Sequence, residues 1–343
     1  MSAPQSRFSE VAITGLAHVD ADVVVTTQSI DEQLSATLDR FDMQRDLLQS
    51  LTGIDERRFW REGMEPSDAA VLAAEKLLDN SDVDPDAIGM LINTSVCRDH
   101  LEPSTASIVQ GKLGLGRDCM NFDVGSACLG FISGANIASA MIERGDIEHA
   151  LIVDGEDCRQ VVEATVARLQ RSDIDEATFR EQFACLTLGS AGVAMLLSRT
   201  SESAGGPRYL GGLSVSAAEH HGLSVGDLEE GRTDAHALLM AGLDLAKDGW
   251  QEAQAEFGWS TDSVAMVAAH QVSRVHTDML IDRLGFNHDQ VPRTYPTFGN
   301  TGPAAVPTVL SKEADAGRLK SGDRVILTGM GSGLNASAVE VIW

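Results

Sequence analysis

The chain has 343 residues, enough at roughly 150 residues per domain for two domains or one large fold with a sizeable core. Apolar residues make up 43% and charged residues 22%, the balance of a globular chain and not of a disordered one. Lys plus Arg number 26 against 51 Asp plus Glu, a net charge of −25, which argues against general nucleic-acid binding because such a surface repels phosphate backbones. It also repels an acidic carrier protein unless basic residues cluster locally. No run of 18 apolar residues occurs, so no transmembrane helix is expected. The start, Met1-Ser2-Ala3-Pro4-Gln5-Ser6-Arg7, lacks the apolar stretch of an export signal. The five cysteines have no CxxC spacing and read as reduced thiols in a cytoplasm.

In chain order the pattern is α/β. Val11-Ala12-Ile13-Thr14-Gly15 opens it as a strand. Ser67 is placed to cap a helix running to about Leu78, with Ala70, Val71, Ala74, Leu77 and Leu78 at helical spacing. Asp86 to Val96 reads as a buried strand, and Ser104 or Thr105 as the cap of a short helix ending near Gly114. Phe122-Asp123-Val124 is a short strand, followed by a helix from about Cys128 to Arg144 and a buried strand at Ala150-Leu151-Ile152-Val153. Val161 to Phe183 reads as two charged amphipathic helices inserted before the strand Val193–Leu197. Ser201 to Pro207 is the best linker, which divides the chain into halves 1–205 and 206–343. The halves repeat one another. Asp86-Ala87-Ile88-Gly89-Met90-Leu91-Ile92-Asn93-Thr94 parallels Asp262-Ser263-Val264-Ala265-Met266-Val267-Ala268-Ala269-His270, and Gly145-Asp146 precedes a strand as Gly322-Asp323 does. Such a duplication sets equivalent strand ends side by side, where a site is expected.

Four segments carry candidate chemistry. Cys128 follows a strand in Gly125-Ser126-Ala127-Cys128-Leu129-Gly130-Phe131 and opens a helix built on small residues. A thiol at a helix N-terminus meets free N–H groups and the positive dipole end, both of which favour thiolate; a buried structural thiol is the alternative. Cys97, Cys119, Cys158 and Cys185 lack this setting and read as inert. His270 ends a buried strand in Ala269-His270-Gln271, facing ligand at a strand end or packed as a core histidine. Asn300, in Gly299-Asn300-Thr301-Gly302-Pro303, reads alone as a turn or cap residue ahead of a helix with Pro303 in its first turn. The final Gly329-Met330-Gly331-Ser332-Gly333 is either a backbone donor to a ligand oxygen or a tight turn; too little chain follows for a dinucleotide fingerprint. Two other patterns are set aside. Gly222-Leu223-Ser224-Val225-Gly226 matches GxSxG but lacks the flanking strand and helix of a nucleophile elbow. His220, His221, Asp234 and His236 fit no metal-ligand spacing and read as a solvated loop.

Cys128, His270 and Asn300, in that order and with these neighbours, resemble the thiolase superfamily, more closely its 3-oxoacyl-carrier-protein synthase III branch. Thr52-Gly53-Ile54-Asp55-Glu56-Arg57-Arg58, His270-Gln271, Gly299-Asn300-Thr301 and Gly331-Ser332-Gly333 extend the likeness over nearly the whole chain. The resemblance implies a duplicated five-layer αβαβα thiolase fold and a homodimer. The chain departs from the fatty-acid-initiating members of the branch. Ser273 stands where they have Asn after the His-Gln pair, and Leu47 and Leu51 stand where they clamp the CoA adenine, so the residues holding the nucleotide end are left open. Asn93 to Thr105, Met120 to Asp123 and His270 to His276 are instead similar to the OleA group, which begins long-chain olefin biosynthesis by joining two fatty acyl-CoAs head to head.

That likeness implies a role for Glu102, which read alone is a surface or helix-start charge before Pro103. A decarboxylating synthase gains its carbanion by losing CO₂, whereas condensing two acyl-CoAs requires removing an α-proton and therefore a base. In the OleA group the equivalent Glu reaches into the partner subunit's active site. The resemblance then implies Cys128 as the acylated nucleophile, with the N–H groups of Cys128 and Gly333 as the oxyanion site. His270 and Asn300 are enolate donors and Glu102 is the general base. It implies fatty acyl-CoAs as substrates, no separate cofactor, no metal, and downstream olefin-pathway enzymes as partners. The inserted helices near 161–183 line an alkyl channel or pack on the surface. Two other functions stay open: a synthase or acyltransferase of this fold with a malonyl-type or amine acceptor, against which Glu102 counts, and a non-catalytic partner subunit, against which the Cys-His-Asn set counts.

Overall fold

The computed structural model describes residues 5–200, 206–226 and 230–343. Its strands are β1 (Val11–Asp20), β2 (Val23–Thr26), β3 (Glu56–Phe59), β4 (Ile88–Asn93), β5 (Met120–Asp123), β6 (His149–Glu156), β7 (Ala191–Arg199), β8 (Arg208–Ser216), β9 (Ser224–Gly226), β10 (Gly231–Thr233), β11 (Met266–Ala269), β12 (Arg324–Gly331) and β13 (Asn335–Ile342). Its helices are α1 (Thr27–Gln33), α2 (Ser35–Arg40), α3 (Leu47–Thr52), α4 (Pro66–Leu78), α5 (Thr105–Leu113), α6 (Gly130–Arg144), α7 (Arg159–Leu169), α8 (Glu176–Gln182), α9 (Ala235–Phe257), α10 (Arg274–Leu284), α11 (Tyr295–Phe298) and α12 (Ala305–Asp315).

Nine strands run in the order β11-β12-β13-β8-β1-β7-β6-β4-β5. The order reads as two copies of one motif. In the first, β4 and β6 are parallel and β6, β7 and β1 alternate antiparallel. In the second, β11 and β12 are parallel and β12, β13 and β8 alternate antiparallel. The copies meet at β1 and β8, through the pair Ala12 and Arg208. The repeated Asp segments both form 3-10 turns, Pro85–Ala87 and Thr261–Ser263, that lead into β4 and β11. Gly145 closes α6 in the left-handed conformation, and Gly322 precedes β12 with φ 90°.

The layers follow from where apolar faces go. Helices α6 and α12 lie between the two half-sheets: Phe131, Ile132, Val306 and Val309 share one core with Met90 and Met195 of the first half and Leu327 and Val339 of the second. Helices α4 and α5 cover the outer face of the first half, and α9 and α10 that of the second. The result is αβαβα. Strands β6 and β7 are buried almost throughout, which is why they read as continuous apolar runs with no alternation.

Two expectations shift. Glu65, not Ser67, caps α4, in a reciprocal box with Asp68; Ser67 lies inside the first turn, its hydroxyl 2.5 Å from Asp99. The strand expected at Asp86–Val96 is shorter, and the chain from Thr94 to Pro103 is irregular. The two inserted helices are α7 and α8. Val162, Val166, Leu169 and Phe179 form a satellite core with Ile30, Leu34, Leu38 and Leu48. Residues 201–205 of the linker lie outside the described residues; Pro207 leads directly into β8.

Candidate active site

Cys128 sits in a 3-10 turn, Ala127–Leu129, just ahead of α6. The turn is strained: Ala127 has φ 44°, a left-handed conformation that a residue with a Cβ adopts at a cost of ~1–3 kcal/mol. The small residues explain how the turn fits. A Cβ on Gly130 would lie 2.4 Å from the Thr94 carbonyl, and one on Gly134 2.8 Å from the Thr94 methyl. So α6 rests against the end of β4. The end of β12 closes the other side, where a Cβ on Gly331 would come within 3.4 Å of the Cys128 nitrogen. Gly333, the second oxyanion donor suggested by the sequence, follows in the turn to β13 with φ 134°.

His270 and Asn300 form a hydrogen-bonded pair, His270 Nε2 lying 3.2 Å from Asn300 Oδ1. The His270 N–H donates to the Thr328 carbonyl, which ties it to β12. The His270 Cβ is also among the first atoms that a side chain on Gly329 would meet. Asn300 is fixed by its own backbone, whose N–H donates to the Thr187 carbonyl at 2.8 Å and whose carbonyl accepts from Gly189 at 2.9 Å. Its Oδ1 also accepts the Gly302 N–H at 3.0 Å. The side chain therefore serves the turn ahead of Pro303 and the site at once. With Oδ1 turned to two donors, the Nδ2 amide is the group left to donate to a ligand. Both residues are buried. Burial holds the His270 imidazolium down to about 4, an effect the Asn300 bond partly offsets. The ring is neutral at pH 7. Donating from Nε2 to Asn300 leaves its Nδ1 as a buried atom without a partner.

The Cys128 thiol behaves opposite to the sequence expectation. It is pushed up to about 12, first by burial and next by the charge of Glu156; its own backbone N–H is the one opposing contact. At neutral pH the group is a thiol. Enclosure of the thiol is the larger cause, and the two acids that end β6, Asp154 and Glu156, add to it beside the turn. Glu156 is fully enclosed: Oε1 accepts the Val96 N–H at 2.6 Å and Oε2 the Cys97 N–H at 3.3 Å. Burial raises it to about 7, against those hydrogen bonds. Asp154, bonded to the Thr94 hydroxyl at 2.6 Å, is raised well above the carboxylate range by burial and by Glu156. Neither acid was singled out from sequence, although Asp154-Gly155-Glu156 at a strand end was the signal available.

Glu102 is exposed, in the irregular segment between β4 and α5, whereas His270 and Asn300 are buried. Ser273 caps α10, accepting the His276 N–H at 3.2 Å. Leu47 is partly buried against the satellite core and Leu51 is exposed. The GxSxG segment forms a 3-10 turn and β9 of a small hairpin with β10, with no helix behind it. Among the described residues, His220, His221, Asp234 and His236 do not converge as metal ligands.

If His270 and Asn300 serve the enolate and not acyl transfer to Cys128, their replacement divides the two half-reactions. His270→Ala and Asn300→Ala are expected to slow condensation on the order of 100-fold or more, while first-turnover CoA release falls far less. Rapid-quench measurement of CoA and of condensed product checks this; equal losses in both steps would overturn it.

Residues 122–209 match the family model for 3-oxoacyl-[acyl-carrier-protein] synthase III, and residues 254–343 match the model for its C-terminal part. An acyl-CoA:acyl-CoA alkyltransferase of Xanthomonas campestris is 45% identical over 336 residues, 98% of this chain and 99% of that protein. One of Shewanella oneidensis is 33% identical over 349 residues, 98% of this chain and 100% of that protein. Cerulenin-bound OleA of Xanthomonas campestris has a TM-score of 0.96 at 45% identity, covering 98% of each chain. A form of that OleA with a cysteine replaced by serine, holding lauric acid and lauroyl-CoA, has the same TM-score over 98% of this chain and 100% of that one. The chain therefore belongs to the acyl-CoA:acyl-CoA alkyltransferases, with the thiolase fold, in the 3-oxoacyl-[acyl-carrier-protein] synthase III branch.

Proposed function

We propose that this chain condenses two fatty acyl-CoAs without decarboxylation, giving a 2-alkyl-3-oxoacyl product at the start of a long-chain olefin route. The observation that carries the reading is the neutral, hydrogen-bonded His270–Asn300 pair beside the Cys128 turn, in a chain of this family that also has Glu102. Cys128 attacks the first thioester carbonyl; its proton leaves with the CoA sulfur as CoA thiol, and an acyl-Cys128 thioester remains. A second acyl-CoA then enters. Glu102 of a second subunit takes its α-proton, and the enolate oxygen accepts hydrogen bonds from His270 Nε2 and Asn300 Nδ2. The α-carbon attacks the acyl-Cys128 carbonyl, whose oxygen is held by the N–H groups of Cys128 and Gly333. Collapse expels Cys128 and leaves the product as a CoA thioester, or as the β-keto acid after hydrolysis, for downstream enzymes. The satellite core of α1, α2, α3, α7 and α8 offers the apolar surface for one alkyl chain.

A homodimer is part of this reading. Leu101 is 83% exposed, Val96 58% and Met120 45%, and all three lie near Glu102 or on β5, the edge strand of the sheet. Apolar side chains and open backbone groups of this kind call for cover. No helix among the described residues is long and apolar enough to cross a membrane.

The test is a single saturated acyl-CoA as sole substrate. The expected product has the mass of the two acyl groups joined, as thioester or keto acid, with no CO₂ released in forming the new bond. Condensed product only when a malonyl thioester is added would overturn the reading.

A further inference from the structure

Cys97 and Cys158, read from the sequence as inert because they lack the setting of Cys128, lie 61 positions apart and meet in the structure. The Cys97 and Cys158 sulfurs and a carboxylate oxygen of Glu156 all lie within 4.8 Å of one another. The Cys97 thiol donates to the Asp157 carbonyl at 3.2 Å. We propose that Cys97, Glu156 and Cys158 form a binding site for a thiophilic divalent cation of the zinc class, beside the nucleophilic turn and distinct from it.

The donor set and its spacing suit such an ion. Two sulfurs and one oxygen are the ligands a zinc-class cation takes, with the fourth position open to water. A tetrahedral centre with ordinary zinc distances needs sulfurs about 3.8 Å apart and sulfur–oxygen spacings of about 3.5 Å. From separations bounded at 4.8 Å, contraction by at most about 1 Å between the sulfurs and about 1.3 Å between sulfur and oxygen is enough. The surroundings are already arranged. The Glu156 carboxylate is oriented by the backbone N–H groups of Val96 and Cys97, the kind of outer support that fixes a ligand's direction. Cys158 is the N-cap residue of α7, an 11-residue helix. Cys97 is half-buried as a residue, with its side chain packed against the satellite core. On binding, each thiol releases its proton to solvent and the sulfur lone pair goes to the metal. The ion would tie Cys97, in the irregular segment that carries Glu102, to the end of β6 and the start of α7.

The experiment titrates the reduced, chelator-treated full chain with Cd²⁺ and follows the thiolate-to-cadmium charge-transfer absorption, then displaces it with Zn²⁺. A single saturable equivalent is expected, with a rise in Tm on loading by mass action. Cys158→Ser and Cys97→Ser should each abolish the saturable band and the Tm rise. Glu156→Gln should weaken binding at least about tenfold, and Cys128→Ala should change neither. Retention of the band in the Cys158 and Cys97 variants, its loss in Cys128→Ala, or no saturable binding in the unaltered chain each overturns the proposal. If the buried Cys158 variant fails to fold, Cys97→Ser at the half-buried position still decides, with circular dichroism as the folding control.

Discussion

Cys128→Ala is expected to remove acyl-enzyme formation and condensation together, lowering turnover by on the order of 1,000-fold or more. The argument is positional. The thiol stands on a strained turn, with Gly130 and Gly331 leaving the backbone of β4 and β12 in close approach, and Ala127 at φ 44° holding the turn in shape. No other thiol is so placed: Cys119 and Cys185 are buried elsewhere in the core, and Cys97 and Cys158 face Glu156. Mass spectrometry after incubation with a long-chain acyl-CoA should find one acyl group on the peptide bearing Cys128 and none on that region in the variant. Cys128→Ser should acylate poorly too, because an alcohol is a much weaker acid and poorer nucleophile than a thiol and needs a stronger base. An adduct that moves to Cys97 or Cys185 in the variants would defeat the assignment. The protonated state adds a second expectation of the same residue. With the thiol pushed up to about 12, iodoacetamide should alkylate Cys128 slowly at pH 7 and progressively faster as pH rises. A thiol already ionised at the helix end would show no such rise.

The sequence carried the fold well because its signals were local and consistent. The small residues of α6, the left-handed Gly145 and the paired Asp-strand segments each act over a few positions, and each appears in place. Ser104 caps α5 and Gly114 ends it as its residue types suggest. Where local rules failed, a tertiary partner was responsible. Ser67 was a credible cap, but Asp99 engages its hydroxyl and Glu65 takes the role with Asp68. The site was legible to the same extent. The order Cys, His, Asn pointed to three residues, and the turn role suspected for Asn300 coexists with its contact to His270. The sign of the Cys128 shift was not legible. A helix N-terminus is visible in a sequence; two acids brought in by a strand 26 and 28 positions further on are not. The meeting of Cys97 with Cys158 was hidden for the same reason, since only the pairing of β4 with β6 sets those segments side by side.

Glu102→Gln should leave acylation of Cys128 and release of the first CoA near their original rates, yet reduce condensed product by on the order of 100-fold or more. Gln keeps the size and much of the hydrogen bonding of Glu but cannot accept a proton, and no CO₂ departs in this reaction to supply the carbanion instead. The location sharpens the test. Glu102 is exposed, next to Leu101, while His270 and Asn300 are buried, the placement expected of a base supplied across the proposed dimer interface. Glu102→Gln and Cys128→Ala chains, each inactive alone, should therefore complement when mixed. A heterodimer has one site that joins the intact Cys128 of the first chain to the intact Glu102 of the second, while its other site lacks both. With random re-pairing of equal amounts, half of the dimers are mixed and each has one of two sites working, so recovery should approach about a quarter of the original activity. Differentially tagged chains, purified through both tags, would show that the mixed dimer exists and raise its expected activity to about half. An inactive mixed dimer would place Glu102 in its own subunit's site or outside the reaction, and the proton transfer would then have to be sought among the buried acids at the end of β6.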